Sequence, residues 1–258
     1  MRVLKFRLWG KTAFFKKPDV NSYQYFTYSN IHKVAVVGMF GAILGYSGYN
    51  QYRQKLNEDK KYDKQYPEFY EKLKDIKISI EPLAKNGSIS KKIQVFNNSV
   101  GYASQQKGRN LIVKEQWLEN PSWNIYLLLD KDESHKICDY ITNRKSVYIP
   151  YLGKNDHFAN IDKIEVFGED EVSLYTTTQN IERINSLCIK NSISFDMDET
   201  NYEEEEEDIF KYSEKLPISL NEITNMYEFE NFIYTNMKVV SINTENIYKV
   251  ANKNIMFY

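Results

Sequence analysis

The sequence predicts an α+β chain whose first two thirds follow a βαββαβ order and whose last third is a series of short strands. Three observations carry this. Residues 3–9 alternate Leu4, Phe6 and Leu8 with Lys5 and Arg7, the period of a half-buried strand. Residues 34–46 are apolar or small throughout and read as a helix. The succession then returns with an apolar strand at 123–129, a helix at 132–143 with Ile137, Cys138 and Ile141 inward, and a strand at 161–167. With a further strand at 74–81, the order is that of a ferredoxin-like or RNA-recognition-type domain, four antiparallel strands backed by two helices.

Each element has a local reason. After the first strand, Lys11, Lys16 and Lys17 extend its basic face to Pro18, and residues 21–32 set Tyr23, Tyr25, Phe26 and Tyr28 among polar residues ahead of His32 and Lys33. Cations interleaved with rings suit single-stranded nucleic acid, where cations meet phosphates and rings stack on unpaired bases; with 21 tyrosines in the chain, rings that simply cover the core are the competing reading. In the helix, Gly38, Gly41 and Gly45 fall three and four residues apart and so on one face. Each costs a helix about 1 kcal/mol against alanine, so that face is kept bare for a close approach by a sheet, a neighbouring subunit or a nucleic-acid strand. Its apolar run, 34–46, is 13 residues, short of the roughly 20 a bilayer span needs.

Residues 57–77 are highly charged and read as a solvated helix or loop. Ile76, Ile78 and Ile80 then alternate with polar residues up to Pro82. Residues 85–109 are polar and poor in acids, with Asn86-Gly87 as a turn signal, and form either a protruding hairpin or a disordered insertion. Beyond residue 180 the sequence predicts a small β-rich region, 181–258, with strands at 187–195, 236–242, 246–250 and 254–257. A solvated acidic loop at 196–208 carries Glu203 to Glu207 and Asp208.

The net charge of -1 hides a division. Residues 1–114 hold 21 Lys and Arg against 8 Asp and Glu, net +13, and residues 115–258 hold 13 against 27, net -14. A basic half facing an anion and an acidic half facing solvent is the simplest account; the alternative is that folding interleaves the two. Met1-Arg2-Val3-Leu4-Lys5 reads as strand and not as a signal core, so a cytoplasmic location is expected. Cys138 and Cys188 and the three histidines, His32, His135 and His157, lack metal-ligand spacing, so neither a metal nor a cofactor is expected. The glycine helix matches neither phosphate-loop nor dinucleotide spacing. Metal-independent RNA cleavage needs only a base, an acid and a cation, roles open to His32, His157, Tyr46 and Lys114.

Five ordered pieces resemble the CRISPR-associated Cas-five family of the RAMP superfamily, with a type I-B flavour: Phe15-Lys16-Lys17-Pro18; Ile31-His32-Lys33; Val37-Gly38-Met39-Phe40-Gly41-Ala42-Ile43-Leu44-Gly45; Pro121-Ser122-Trp123-Asn124-Ile125-Tyr126; and Tyr148-Ile149-Pro150-Tyr151-Leu152-Gly153-Lys154-Asn155-Asp156-His157-Phe158-Ala159. They cover most of residues 1–170. The resemblance implies a RAMP ferredoxin-like domain over 1–180, with a thumb inserted at about 85–110. It also implies a role in antiviral defence as a subunit of a type I interference (Cascade) complex. Such a subunit grips the 5′ handle of the crRNA, caps the filament of backbone (Cas-seven) subunits and docks the large (Cas-eight) subunit, meeting target DNA only through the complex. The expected RNA contacts are Arg7, Lys16, Lys17, Tyr28, His32, Lys33, Gly38, Gly41, Lys91, Lys92, Lys107, Arg109, Lys154, Asn155 and His157, with Tyr28 stacking and the cations on phosphates. One branch of the family cleaves precursor crRNA with a tyrosine, a lysine and a histidine. Tyr46 and Lys114 are the counterparts here, but Glu115 stands where that branch has histidine, so a non-catalytic subunit is expected.

Overall fold

The computed structural model describes residues 1–19, 23–59, 65–99, 101–105, 107, 110–175, 181–196 and 208–258. Strand β1 (Val3–Trp9) leads through the short β2 (Thr12–Ala13) to helices α1 (Lys33–Leu44), α2 (Tyr49–Glu58) and α3 (Glu68–Leu73) and then to β3 (Ile78–Pro82). A hairpin of β4 (Lys91–Asn97) and β5 (Ile112–Glu119), with the short α4 (Gly101–Ser104) between them, precedes β6 (Ser122–Leu128), α5 (Asp132–Thr142) and β7 (Asn160–Phe167). There follow β8 (Val172–Leu174), β9 (Cys188–Ile189), β10 (Ile193–Phe195), β11 (Lys211–Leu220), β12 (Tyr227–Thr235), β13 (Val239–Ile242), β14 (Ile247–Val250) and β15 (Lys253–Met256).

The principal sheet has the order β3-β6-β1-β7 with every neighbouring pair antiparallel. The helical crossovers run from β1 to β3 and from β6 to β7, each passing over one strand, so the predicted βαββαβ domain is what forms. One face of β1 buries Leu4, Phe6 and Leu8 beneath α1 and α5, with Phe6 and Phe40 edge to face at 6.1 Å. On the opposite face Lys5 meets Glu165 at 3.1 Å, and Val3, Tyr126 and Leu128 are covered by β14, β15 and Phe257. Glu81, buried on that face, accepts hydrogen bonds from Asn124 Nδ2 and Tyr126 Oη, both at 2.8 Å, and from Lys253 Nζ. These partners satisfy a carboxylate that would otherwise be costly to bury.

Residues 181–258 hold an apolar cluster of their own, with Ile181, Ile184, Cys188, Ile193, Ile233, Ile247 and Met256, and also extend the main core. Leu187, Leu216, Leu220, Phe232 and Tyr234 belong to the same apolar cluster as Leu4 and Phe6. Tyr258 exchanges backbone hydrogen bonds with Ile78 (3.2 and 3.0 Å), and Leu187 N donates to Ile80 O (2.8 Å), closing the outer edge of β3. The long β11–β12 hairpin is not among the predicted strands, because Lys211, Glu214, Lys215, Glu228 and Glu230 break its apolar alternation and Pro217 interrupts it. The expected solvated segment at 57–77 is a second difference, since Tyr66, Tyr70, Leu73 and Ile76 are buried. Tyr70 Oη accepts from Leu220 N (2.7 Å) and Tyr66 Oη donates to Leu220 O (3.1 Å). The expected acidic loop lies, apart from Asp196 and Asp208, outside the described residues.

The polar excursion is a hairpin, and its regular part reaches Glu119, beyond the expected limit near 110, with β2, β5 and β4 forming one sheet. Asn86-Gly87 is a turn, but it lies ahead of the hairpin and is docked into the protein: Asn30 Nδ2 donates to Gly87 O (3.2 Å), and Asn30 Oδ1 accepts from the buried Trp123 indole (2.9 Å). This bridge sets where the chain enters α1.

Helix α1 buries Val34, Val36, Val37, Met39, Phe40 and Ile43. What approaches the glycine face is the ring of Phe69 from α3. A Cβ at Gly41 would lie 2.5 Å from Phe69 Cβ, whereas one at Gly38 would sit 3.9 Å from the nearest atom of that ring. Gly38→Ala is therefore expected to stabilise the protein, by up to about 1 kcal/mol from helix propensity. Gly41→Ala is expected to cost about 1–3 kcal/mol by overpacking against the first carbon of the Phe69 side chain. Urea unfolding of the two variants checks the opposite signs.

Candidate nucleic-acid interface

The half-buried, small-residue face of α1 floors a cleft of 590 Å³. Ala35, Gly38, Met39 and Ala42 form the floor; Phe14, Lys16, Tyr148, Tyr151 and Gly153 line it, with Tyr46, Phe69 and Tyr227. The loop carrying Tyr148 and Tyr151 is held by the end of the helix. Val147 N donates to Ile43 O (2.9 Å) and Tyr148 N to Ala42 O (3.2 Å), two of the carbonyls that a helix C-terminus leaves without partners. Further along, Phe14 N donates to Leu152 O (3.1 Å), and Leu152 is fully buried. Gly153 has φ 85°, and a Cβ there would lie 2.0 Å from Phe14 O, so this close approach requires glycine. The result is a fixed loop with Tyr148 58% and Tyr151 47% exposed.

A second groove of 590 Å³ shares Ala35, Phe69 and Tyr227 with the cleft and continues past Tyr49, Arg53 and Met226. The combined trough is lined chiefly by rings and small residues, with Lys16 among the walls of the first part and Arg53 among those of the second. Lys16 Nζ stands 3.9 Å from the centre of the Tyr25 ring. That segment is aligned beside β5 by Tyr25 N to Lys114 O (2.8 Å) and Gln116 N to Tyr25 O (2.9 Å).

The residues expected to touch RNA divide by environment. Lys16, Lys91, Lys107 and Asn155 are exposed, and Gly38 and Gly41 line the cleft. Lys91 Nζ donates to Ser29 Oγ at 2.6 Å, and Lys92 lies 3.8 Å from Glu119. Lys17 faces Glu214 at 3.6 Å and Lys154 faces both Glu115 (3.3 Å) and Asp156 (3.1 Å), so each already has a carboxylate. Arg7 lies on the outer face of the sheet, where it forks onto Asp162 (2.6 and 2.5 Å), and this hydrogen bonding holds Asp162 below the usual carboxylate range. Lys33 is the first residue of α1, and burial lowers its ammonium to about 8. Arg109 lies outside the described residues.

Three of the expected contacts are buried, His32 while also lining the cleft. Tyr28 is buried with its ring 5.3 Å from that of His32, so it has no free face for a base. His32 is the N-cap of α1, its Nδ1 accepting from Ala35 N (3.2 Å). His157 is buried with Nδ1 2.7 Å from Thr12 Oγ1 and its ring edge-on to Trp117 at 4.6 Å; it pins the loop from within, and burial lowers its pKa. All three sit in polar, aromatic-rich sequence that looks like surface, and their burial depends on packing between distant segments. The residues that sequence reasoning did not single out are Phe14, Phe69 and Tyr227, and also Tyr148 and Tyr151, whose loop (148–157) the resemblance implies to lie near the handle. A pair of tyrosines bracketing Pro150 in a loop was the available signal for two of them.

The groups considered for cleavage are engaged otherwise. Tyr46 Oη donates to Glu133 Oε2 (2.5 Å), and burial followed by that carboxylate raises the phenol well above its ordinary pKa. Glu115 is buried, accepting from Lys154 Nζ and from Trp117 Nε1 (2.8 Å), and its neighbour Lys114 is exposed. Among the described residues no cluster of three or more His, Cys, Asp and Glu could hold a metal, and no helix is long and apolar enough to cross a membrane.

Among solved structures, a chain of a CRISPR RNA-guided surveillance complex aligns over 93% of this chain and 92% of its own, with 12% sequence identity and a TM-score of 0.53. The two share a fold. A CRISPR protein from Archaeoglobus fulgidus aligns over 99% of this chain and 98% of its own at 8% identity (TM-score 0.49). A chain from the type III-B Cmr-beta complex bound to cognate target RNA aligns over 93% and 86% at 14% identity (TM-score 0.41). No family model and no curated protein matches the sequence.

The burial of His32 has a pH signature. Its folded pKa is lowered to about 3 by burial, below the roughly 6.5 of the unfolded chain. The unfolded state therefore takes up the proton first, and stability is lost as pH falls from 6.5 towards 3. His32→Asn keeps an N-cap acceptor and removes this component. Between pH 7 and pH 5 the wild-type protein should lose about 2 kcal/mol more than the variant, measured by urea unfolding at the two pH values.

Proposed function

We propose that this chain is a non-catalytic subunit of a type I CRISPR interference complex, of the Cas-five kind, that holds the 5′ handle of the crRNA in the trough over α1. The observation that carries this reading is the trough itself: exposed Tyr148 and Tyr151 beside a floor of glycine and alanine, with Lys16 in the wall. Rings give flat bases a stacking surface, and a floor with little side chain lets a base or sugar lie close to the helix. The exposed cations Lys16, Lys91 and Lys107 neutralise phosphates, while Lys154 is a positioning residue that ties the loop to β5 through Glu115. Support from outside the chain is the fold shared with a chain of an RNA-guided surveillance complex. In this reading, backbone and large subunits are its protein partners, the β4–β5 hairpin is the thumb at the handle–spacer junction, and the protein works in the cytoplasm.

The test is binding of labelled handle RNA and full repeat RNA, with EDTA present, to the purified chain alone and with its backbone partner. Tyr148→Ala with Tyr151→Ala should weaken handle binding by about tenfold or more, since stacking contributes roughly 1–3 kcal/mol per base. Lys91→Glu with Lys92→Glu should flatten the dependence of log K on log salt by about 1.4, at about 0.7 for each phosphate no longer neutralised. Unchanged binding in the tyrosine variant removes the trough from the reading, and a cut at the handle boundary overturns the non-catalytic assignment.

A further inference from the structure

The 144–159 loop also lines a smaller cavity, of 180 Å³, with different residues from those it turns to the trough. Its walls are Ile43 of α1, Ile141 of α5, Pro150, Ala159, and Ile161 and Ile164 of β7. Arg144 and Lys145, both exposed, are the charged residues of the lining. Among the described residues neither has an ion pair, nor does Lys163, exposed on the open edge of the principal sheet. In the same loop Ile149 is 72% and Phe158 66% exposed.

This exposure is built in. Lys145 N donates to Tyr140 O (2.8 Å), Ala159 N to Pro150 O (3.1 Å) and Leu152 N to His157 O (2.7 Å), so the loop cannot fold its apolar side chains inward without breaking these bonds. Ile149 and Phe158 are the chain neighbours of the wall residues Pro150 and Ala159, and exposed apolar side chains beside an apolar cavity with cations in its lining point to an interaction site. The apolar walls of the cavity contain no aromatic ring, so they give a nucleobase nothing to stack on, in contrast with the trough. They fit one branched aliphatic side chain. Strand addition is disfavoured, because β7 carries a bulge opposite Lys5 and Arg7 and Lys163 there has φ 47°. Recognition at this face therefore runs through side chains.

We propose that this face receives an acidic segment of a partner polypeptide, with one aliphatic side chain seated among Ile43, Ile141, Ile161 and Ile164 and its flanking carboxylates on Arg144 and Lys145. The surface is separate from the RNA trough, and the proposal does not depend on what the trough binds.

The experiment is a titration of the full chain, labelled at isoleucine methyl groups, followed by nuclear magnetic resonance. The probe is N-acetyl-Asp-Leu-Glu-amide, compared with the same peptide carrying Ala for Leu, the peptide with Lys at both flanks, and a uridine oligonucleotide. Saturable shifts of the Ile43, Ile141, Ile161 and Ile164 methyls are expected with the acidic leucine peptide. Affinity should be weaker by about tenfold or more for the alanine peptide, and the lysine peptide should cause no shift. Arg144→Glu with Lys145→Glu should exchange the preference between the acidic and lysine peptides while leaving the buried Ile78 and Ile125 methyls in place, which shows the fold intact. Absence of saturable shifts, equal shifts with the alanine peptide, or the same shifts with the oligonucleotide would overturn the proposal.

Discussion

The C-terminal turn of α1 must find partners for its last carbonyls, and the site is arranged around how it does so. Gly45 takes φ 79° and turns its own N–H back to Ala42 O and Gly41 O, while Tyr46 N also returns to Gly41 O. The carbonyls of Ala42 and Ile43 accept from Tyr148 N and Val147 N, more than a hundred residues away in the chain. A capping requirement of ordinary size thus anchors the loop that walls the trough on one side and the aliphatic cavity on the other. The other end of the helix is set by His32 and by the Asn30 bridge from Trp123 to Gly87. With both ends fixed and Phe69 seated against Gly41, the small-residue face of α1 becomes a floor with rigid walls.

Charge is organised by the same packing. The basic first half and acidic second half meet in the folded chain through Lys5–Glu165, Arg7–Asp162, Lys17–Glu214 and Glu81–Lys253. The outer face of the sheet is thereby occupied by its own ion pairs and by the C-terminal strands. The partly exposed pairs, Lys5–Glu165 and Arg7–Asp162, contribute little to stability, about 0–1 kcal/mol each, whereas the buried Glu81 needs its partners. The effect of the pairs here is on the pattern of free charge: the cations left available stand on the β4–β5 hairpin, at Lys16, and around Arg144, Lys145 and Lys163. The trough and the aliphatic cavity both lie beside cations that form no ion pair among the described residues.

The βαββαβ order, the bare glycine face and the inserted hairpin were legible in the sequence because each rests on a local pattern: a period of two for β1, a continuous apolar run with glycines three and four apart for α1, a period near 3.6 for α5, and a change of composition for the excursion. The β11–β12 hairpin and the buried turn of α3 were not, since charged residues dilute their apolar pattern and their burial comes from contacts with α1 and with each other. The same cause governs the site. Lys16, Lys91, Lys107, Gly38 and Gly41 keep the exposure or cleft position that their residue types suggested, whereas Tyr28, His32 and His157 are buried. An aromatic or imidazole ring between polar neighbours is equally consistent with a surface contact and with a satisfied buried group, and only the partner decides.

By itself, then, the sequence determined the βαββαβ succession, the conformation of α1 and the polarity of the two halves, which depend on near neighbours in the chain. The tertiary structure decided which cations stay free, which rings face solvent and where the C-terminal third joins the core. Those outcomes are set by pairings such as Arg7 with Asp162, Tyr148 with Ala42 and Tyr258 with Ile78, whose members carry no local mark of one another.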